Sequence, residues 1–216
     1  MSDSKQILNE EHVDFLKEMM NIGAGNASTA LHKMLKHPVE LKIPRVDILP
    51  ITKVPSIFDN PSLPVVCVKM GIVGDVDGGA FFIVSEEHSV RLVNLIKKAT
   101  VGLTPFKAHK PDEMGLSVLS EIGNIVTGVY LAAIHDFCRL NIYHTVPMLT
   151  IDMVQAVLDE ILIKLDLNIE IATVIENEFI IGRYPINSIL VLITSAESAG
   201  VLANSLEQAR KAYVST

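Results

Sequence analysis

One phrase of eight residues is written twice in this chain of 216 residues, and its spacing limits what the fold can be. Asp14-Phe-Leu-Lys-Glu18-Met-Met-Asn21 returns as Ser117-Val-Leu-Ser-Glu121-Ile-Gly-Asn124, so Glu18 to Glu121 and Asn21 to Asn124 are both displacements of 103 residues. A proline follows each phrase at a matched interval, Pro44 and Pro147, again 103 apart. Both copies lie in helix-like surroundings. Where the chain turns about 100° per residue, positions i, i+4 and i+7 fall on a narrow stripe. Asp14, Glu18 and Asn21 therefore share one face, as do Ser117, Glu121 and Asn124. Duplication of an acid-plus-carboxamide stripe predicts two equivalent sites.

The surrounding sequence predicts a helix from an Asn9 cap through Glu10 and Glu11 to about Lys36, ended by His37-Pro38. Gly23 and Gly25 inside it cost about 1 kcal/mol each relative to alanine, which points to close approach of another element or a kink. Extended segments follow at 39–43, 46–52, 65–72 and 79–84, with the turn-forming cluster 74–79 between the last two. A helix over 86–98 closes the first copy, and 100–110 links the halves. The second copy opens on Pro111-Asp112-Glu113, suited to a first helical turn, and its helix runs to about Cys138. Strands are expected near 146–154, 160–174 and 189–195, then a last helix over 196–213. The clean alternation of 162–171 reads as a strand with one wet and one dry face. Antiparallel α+β architecture fits this order better than a doubly wound parallel sheet.

Composition narrows the function. Hydrophobic content of 49% against 20% charged residues describes a folded chain able to bury a core. A net charge of −7 disfavours nucleic acid as a partner, since phosphates demand a basic face. Absence of tryptophan disfavours sugar- or base-stacking platforms. No apolar run reaches the roughly 18 residues a bilayer crossing needs, so no membrane partner is expected. The first residues lack a signal-peptide stretch, and a cytoplasmic location follows. Cys67 and Cys138 are too few and too distant for a zinc site or a disulfide framework. None of the seven histidines has metal-ligand spacing.

Two glycine-rich stretches invite stronger readings that the context does not support. Gly23 to Ala27 follows a helix rather than a strand, so it is not a phosphate loop. Asp75 and Asp77 lack the twelfth-position glutamate of a calcium loop and mark a turn. Glu and Asn at i, i+3 offer one acceptor-only carboxylate and one carboxamide with donor and acceptor atoms. With no nucleophile, no paired carboxylates, and no histidine, lysine or arginine in the stripe, such a site cannot hold a phosphate alone. It can complete the active site of another protein.

The phrase x3-Glu-x2-Asn with a proline 23 residues later, together with Asn21-Ile-Gly-Ala-Gly-Asn26-Ala and Glu121-Ile-Gly-Asn124-Ile, resembles the CheC branch of the CheC/CheX/FliY phosphatases of chemotaxis. The resemblance extends over roughly residues 8–210. It implies a single domain spanning 1–216, an internally duplicated pseudo-twofold structure with repeats at about 8–100 and 111–213. An antiparallel sheet would form its core, with the two motif helices outside. It further implies a phosphatase acting on the aspartyl phosphate of a CheY-like response regulator. Asn21 and Asn124 would orient the attacking water, as glutamine does in GTPases. Glu18 and Glu121 would pair with the regulator's lysine, Asp14 and Ser117 would touch the partner or brace the stripe, and Pro44 and Pro147 would be structural. The chain would hold no metal or cofactor, Mg2+ being supplied by the regulator.

Two rival readings accompany this one. In the first, the chain is an adaptor that chiefly engages the receptor deamidase CheD and has weak phosphatase activity alone. The second is a FliY-like flagellar component, disfavoured because that family's additional terminal parts are not expected here. CheX works as a dimer with one motif per chain. A duplicated chain satisfies that geometry as a monomer.

Overall fold

The computed structural model describes residues 10–101, 110–164 and 169–214. The first repeat runs through helix α1 (Glu10–Leu35), strand β1 (Val39–Pro50), a 3-10 helix (Ile51–Ile57), the β2 (Pro64–Gly74) and β3 (Gly78–Ser85) hairpin, and helix α2 (Glu86–Val101). The second repeats that order with α3 (Glu113–Cys138), β4 (Ile142–His144) and β5 (Met148–Met153), helix α4 (Val154–Lys164), the β6 (Ile169–Ile181) and β7 (Tyr184–Ser195) hairpin, and helix α5 (Ala196–Val214). Both motif helices are 26 residues long.

Local chemistry fixes the helix ends. Asp112 caps α3 by accepting from the Gly115 N–H at 2.9 Å. Bonds from Lys97 and from the Gly115 N–H hold the Asp112 carboxyl below the usual range. α1 stops where Lys36 turns left-handed at φ 50°, two residues before Pro38. Ser85 and Ser195 cap the closing helices alike, accepting from His88 N at 3.2 Å and Ser198 N at 3.1 Å.

The seven strands form one antiparallel sheet in the order β1-β6-β7-β3-β2-β4, with β5 also on β2. Read by equivalent strands (first strand, hairpin, hairpin, first strand), that order is a palindrome. Each repeat lays its first strand on the other repeat's hairpin: β1 on β6, and β4 and β5 on β2. At the centre Phe81 of β3 pairs with Val191 of β7, its own equivalent at a displacement of 110 residues. The same displacement governs two reciprocal bonds across the centre. Asp77 N donates to Ser198 Oγ at 2.9 Å, and Asn187 N donates to His88 Nδ1 at 3.2 Å. Asp77 corresponds to Asn187 and His88 to Ser198, which marks a pseudo-twofold relation in side chains as well as backbone.

The rise from 103 to 110 arises between these points. β6 and β7 are longer than β2 and β3 and turn through Gly182 at φ 66°, where glycine carries no Cβ penalty. The 176–188 stretch is thus mostly strand.

Each face of the sheet has a core. Leu16, Met19, Met20, Leu119, Ile122 and Tyr130 from the motif helices pack on Val66, Val68, Phe82 and Phe179. On the opposite face Ile51, Val54, Val154, Val157 and Leu158 cover Val65, Cys67, Ile83 and Ile193. β2 alternates between the cores, so its apolar run is a strand buried on both sides.

Three expectations need correction. The strand predicted for 160–174 begins only at Ile169, because Val154–Lys164 is helical. Val154, Val157 and Leu158 recur at i, i+3 and i+4 over the second core, a helical period that the alternation of 162–171 obscured. Residues 165–168, with Asp166, lie outside the described segments. The strand expected at 146–154 is β5, with an unexpected short β4 before the break that contains Pro147. Finally, α3 has an 18-residue window of mean hydropathy 1.4, so by length and composition it passes for a membrane-crossing helix. Half of that window is buried inside the protein, and its apolar side chains are those of a core helix.

Candidate functional site

Both stripes lie on the outward side of their helices. On α1 the inward positions Phe15, Leu16, Met19, Met20 and Gly23 are buried, leaving Asp14, Glu18 and Asn21 exposed. On α3 Leu119, Ile122, Gly123 and Val126 face inward, while Ser117 and Glu121 are exposed and Asn124 is half-buried. The helices touch one another where Gly23 meets α3. A Cβ on Gly23 would sit 3.2 Å from Tyr130 Cδ1 and 3.5 Å from Ala133 Cβ, which explains this glycine by close approach. Gly25 has nothing within 4 Å.

Among the described residues, the side chains of Asn21, Asn124, Glu121 and Asp14 have no hydrogen-bond or ion-pair partner. The exposed Asn21 amide and the half-buried Asn124 amide therefore each keep a donor and an acceptor unpaired among those residues. No hydrogen bond or ion pair among the described residues links one stripe to the other. Ser117 is less available, since its Oγ donates to the Glu113 carbonyl at 3.1 Å.

Each proline stands at an interruption beside its helix. The β1–β6 register shifts between Lys42 and Arg45, around Pro44. The break between β4 and β5 contains Pro147. A residue without an N–H suits a bulge or a break in pairing.

Two neighbours of the first stripe escaped sequence reasoning. Lys17 flanks it and donates from Nζ to the Pro44 carbonyl at 3.1 Å, tying the motif helix to its proline. Its place three residues after Asp14 was the available signal. Tyr213, from the last turn of α5, donates its hydroxyl to Glu18 Oε1 at 2.9 Å. The Glu18 carboxylate raises the Tyr213 phenol above its ordinary range through that bond and its charge. The 195 residues between them left no local signal.

α5 is fastened to α1 nearby. Arg210 Nη2 lies 2.9 Å from Glu11 Oε2, and His12 Nε2 lies 3.4 Å from Glu207 Oε2. Bonds from Arg210 and Lys211 lower the Glu207 carboxyl to about 2. Asp75, weighed above as a calcium-loop residue, accepts from Asn141 N at 2.7 Å and braces a turn.

By architecture the chain falls with domains in which a helix-and-strand unit is repeated about a shared antiparallel sheet. FliY of Thermotoga maritima superposes with a TM-score of 0.71, covering 94% of this chain and 99% of that one at 22% identity. The middle domain of Helicobacter pylori FliM superposes at 0.63, covering 92% and 99% at 11% identity. At such identities the likeness speaks for the fold alone.

Sequence carries the assignment further. The pattern of the CheC-like family matches residues 11–44 and 114–151, segments that each enclose one stripe and its proline. The CheY-P phosphatase CheC of Bacillus subtilis (strain 168) is 31% identical over 160 residues, covering 73% of this chain and 75% of that protein. The chain belongs to the CheC family.

Proposed function

We propose that this protein is a phosphatase for the aspartyl phosphate of a CheY-like response regulator in chemotaxis, working at two sites. One observation carries the reading: two outward stripes, each presenting a glutamate and an asparagine whose side-chain amide has no partner among the described residues. The curated relative, itself a CheY-P phosphatase, supports it.

The stripe contributes little reactive chemistry, which suits a substrate that is already an activated acyl phosphate. Water adds to phosphorus while the bond from phosphorus to the aspartyl oxygen breaks. Inorganic phosphate leaves and the aspartate carboxylate is regenerated. A carboxylate is a sufficient leaving group, so this chain needs no general acid. Asn21 or Asn124 accepts a hydrogen bond from the water and donates one to a phosphoryl oxygen, holding the water in line. Glu18 or Glu121 pairs with the regulator's lysine and sets the docking register. Asp14 and Ser117 edge the contact. The magnesium ion belongs to the regulator, and the reading places the protein in the cytoplasm as a monomer.

The test is dephosphorylation of a phosphorylated CheY-like regulator with and without this protein. Wild type should accelerate it, and N21A/N124A should lose at least about tenfold, since misplacing a reacting group by 1 Å costs up to about 10²-fold. No acceleration by wild type, or full acceleration by the double variant, would sink the proposal. Rates with CheD added separate this reading from the adaptor: dependence on CheD for most of the acceleration favours the adaptor.

A further inference from the structure

The two sites carry the same glutamate, but among the described residues only the Glu18 side chain has a hydrogen-bond partner, Tyr213. We infer that Tyr213 is a positioning residue for the α1 site, holding Glu18 in the orientation that meets the regulator's cation. This rests on the phosphatase reading above.

Three observations carry it. First, the bond is direct, from the Tyr213 hydroxyl to Glu18 Oε1 at 2.9 Å, while Tyr213 stays 47% exposed beside the stripe. Second, the ring is held in place. Its centroid lies 5.8 Å from Phe15 and 6.2 Å from Phe137, and those two rings are 6.1 Å apart in an edge-on arrangement. The cluster joins α1, the end of α3 and the end of α5. Third, the Arg210–Glu11 ion pair and the Phe15–Tyr213 ring contact join α5 to α1, so the hydroxyl approaches Glu18 from an element packed against its helix.

The consequence follows from carboxylate geometry. An ionised glutamate accepts about four hydrogen bonds, and Tyr213 takes one on Oε1. Oε2 remains open to a partner cation. Glutamate otherwise loses considerable rotamer freedom when it binds, and a side chain ordered beforehand is spared that loss. The position equivalent to Tyr213 in the first repeat, at the 110-residue displacement, is residue 103, outside the described segments. Glu121 has no hydrogen-bond partner among the described residues.

The experiment isolates each site. Y213F is placed in N124A, where only the α1 site works, and in N21A, where only the α3 site works. Phenylalanine keeps the ring cluster and removes only the hydroxyl. In N124A, Y213F should raise KM for the phosphorylated regulator about two- to tenfold with kcat unchanged, the scale of one ordered side chain. The change should be confined to that background and should disappear once Glu18 is alanine. An equal change in both backgrounds, a loss in kcat alone, or no change would overturn the inference.

A second readout needs no turnover. The ultraviolet titration of Tyr213, taken as wild type minus Y213F, should move to lower pH in E18Q, because the negative carboxylate that raises the phenol is gone. Asp136 and Arg139 line the same cleft, and Arg210 lies one turn away on α5, so the shift is compared in E18Q alone with those groups intact. No shift means that Tyr213 does not hold Glu18 and ends the proposal. If wild type fails to accelerate dephosphorylation, the phosphatase reading falls, and the titration still decides whether the contact exists.

Discussion

The stripe on α1 and the stripe on α3 share their glutamate and asparagine but not their surroundings. On α1 the asparagine is exposed, Lys17 stands on the flank bonded to the Pro44 carbonyl, and Tyr213 holds the glutamate. On α3 the asparagine is half-buried, Ser120 occupies the position of Lys17, and Glu121 meets no hydrogen-bond partner among the described residues. Duplication preserved the groups proposed to touch the reacting atoms and let their supports diverge. On the proposed reading, the difference teaches that two sites can keep the same reacting groups while differing in preorganisation.

The sharpest way to break this comparison is to silence the sites one at a time. N21A leaves the half-buried amide and the unclamped glutamate, whereas N124A leaves the exposed amide and the ordered one. At regulator concentrations below KM, N124A should keep the larger activity, by about two- to tenfold, the scale expected of one ordered side chain. Initial rates at several regulator concentrations check this. Equal residual rates would show that flanking residues do not matter, and a reversed ranking would show that Tyr213 and Lys17 obstruct docking.

Removing Lys17 sharpens the same contrast. K17A deletes the tie between α1 and Pro44, an exposed bond from a charged donor, and should lower stability by at most about 1 kcal/mol. Any loss of rate should appear in the N124A background and not in N21A. Urea unfolding beside the rate assay distinguishes the two effects.

Much of this asymmetry was illegible in sequence, for identifiable reasons. Both stripes, both prolines and the approximate extents of both motif helices could be read because their evidence is local: a 3.6-residue period, the Pro111-Asp112-Glu113 opening and a stop before Pro38. Pro111 reads as part of the first turn, whereas the structure makes Asp112 the cap and begins the helix at Glu113. The exchange of first strands was not legible. The order helix, strand, hairpin, helix is the same whether a strand joins its own repeat or the other, and only tertiary pairing decides. α4 was misread because a short apolar segment satisfies period 2 and period 3.6 about equally well. Tyr213 lies 195 residues from its partner, so its role becomes visible only once α5 lies along α1.

Packing gives a comparison between helices that is independent of turnover. Gly23 stands where α1 meets α3, and G23V would drive a branched side chain into Tyr130 and Ala133. Overpacking of this kind costs about 1–3 kcal/mol, measurable as a lower urea midpoint with an unchanged slope. Both sites should lose activity together, because the helix contact belongs to both. Loss at one site alone would mean that the crossing does not set the position of the two helices jointly.

The smallest effect distinguishes two glycines that the duplication makes equivalent. Gly25 and Gly128 are 103 residues apart, yet a Cβ on Gly25 meets nothing within 4 Å, while one on Gly128 would lie 3.1 Å from His144 Nε2. G25A should raise stability by up to about 1 kcal/mol, since alanine is the better helix former and the added methyl enters open space. At Gly128 the same propensity gain is set against crowding of an imidazole whose Nδ1 lies 3.1 Å from the Thr145 carbonyl. G128A should therefore gain less than G25A, or lose, in the same urea titration. An equal gain at both would show that His144 swings aside freely. That strand-side wall of the α3 site would then be softer than its counterpart on α1, where Lys17 ties the helix to the proline.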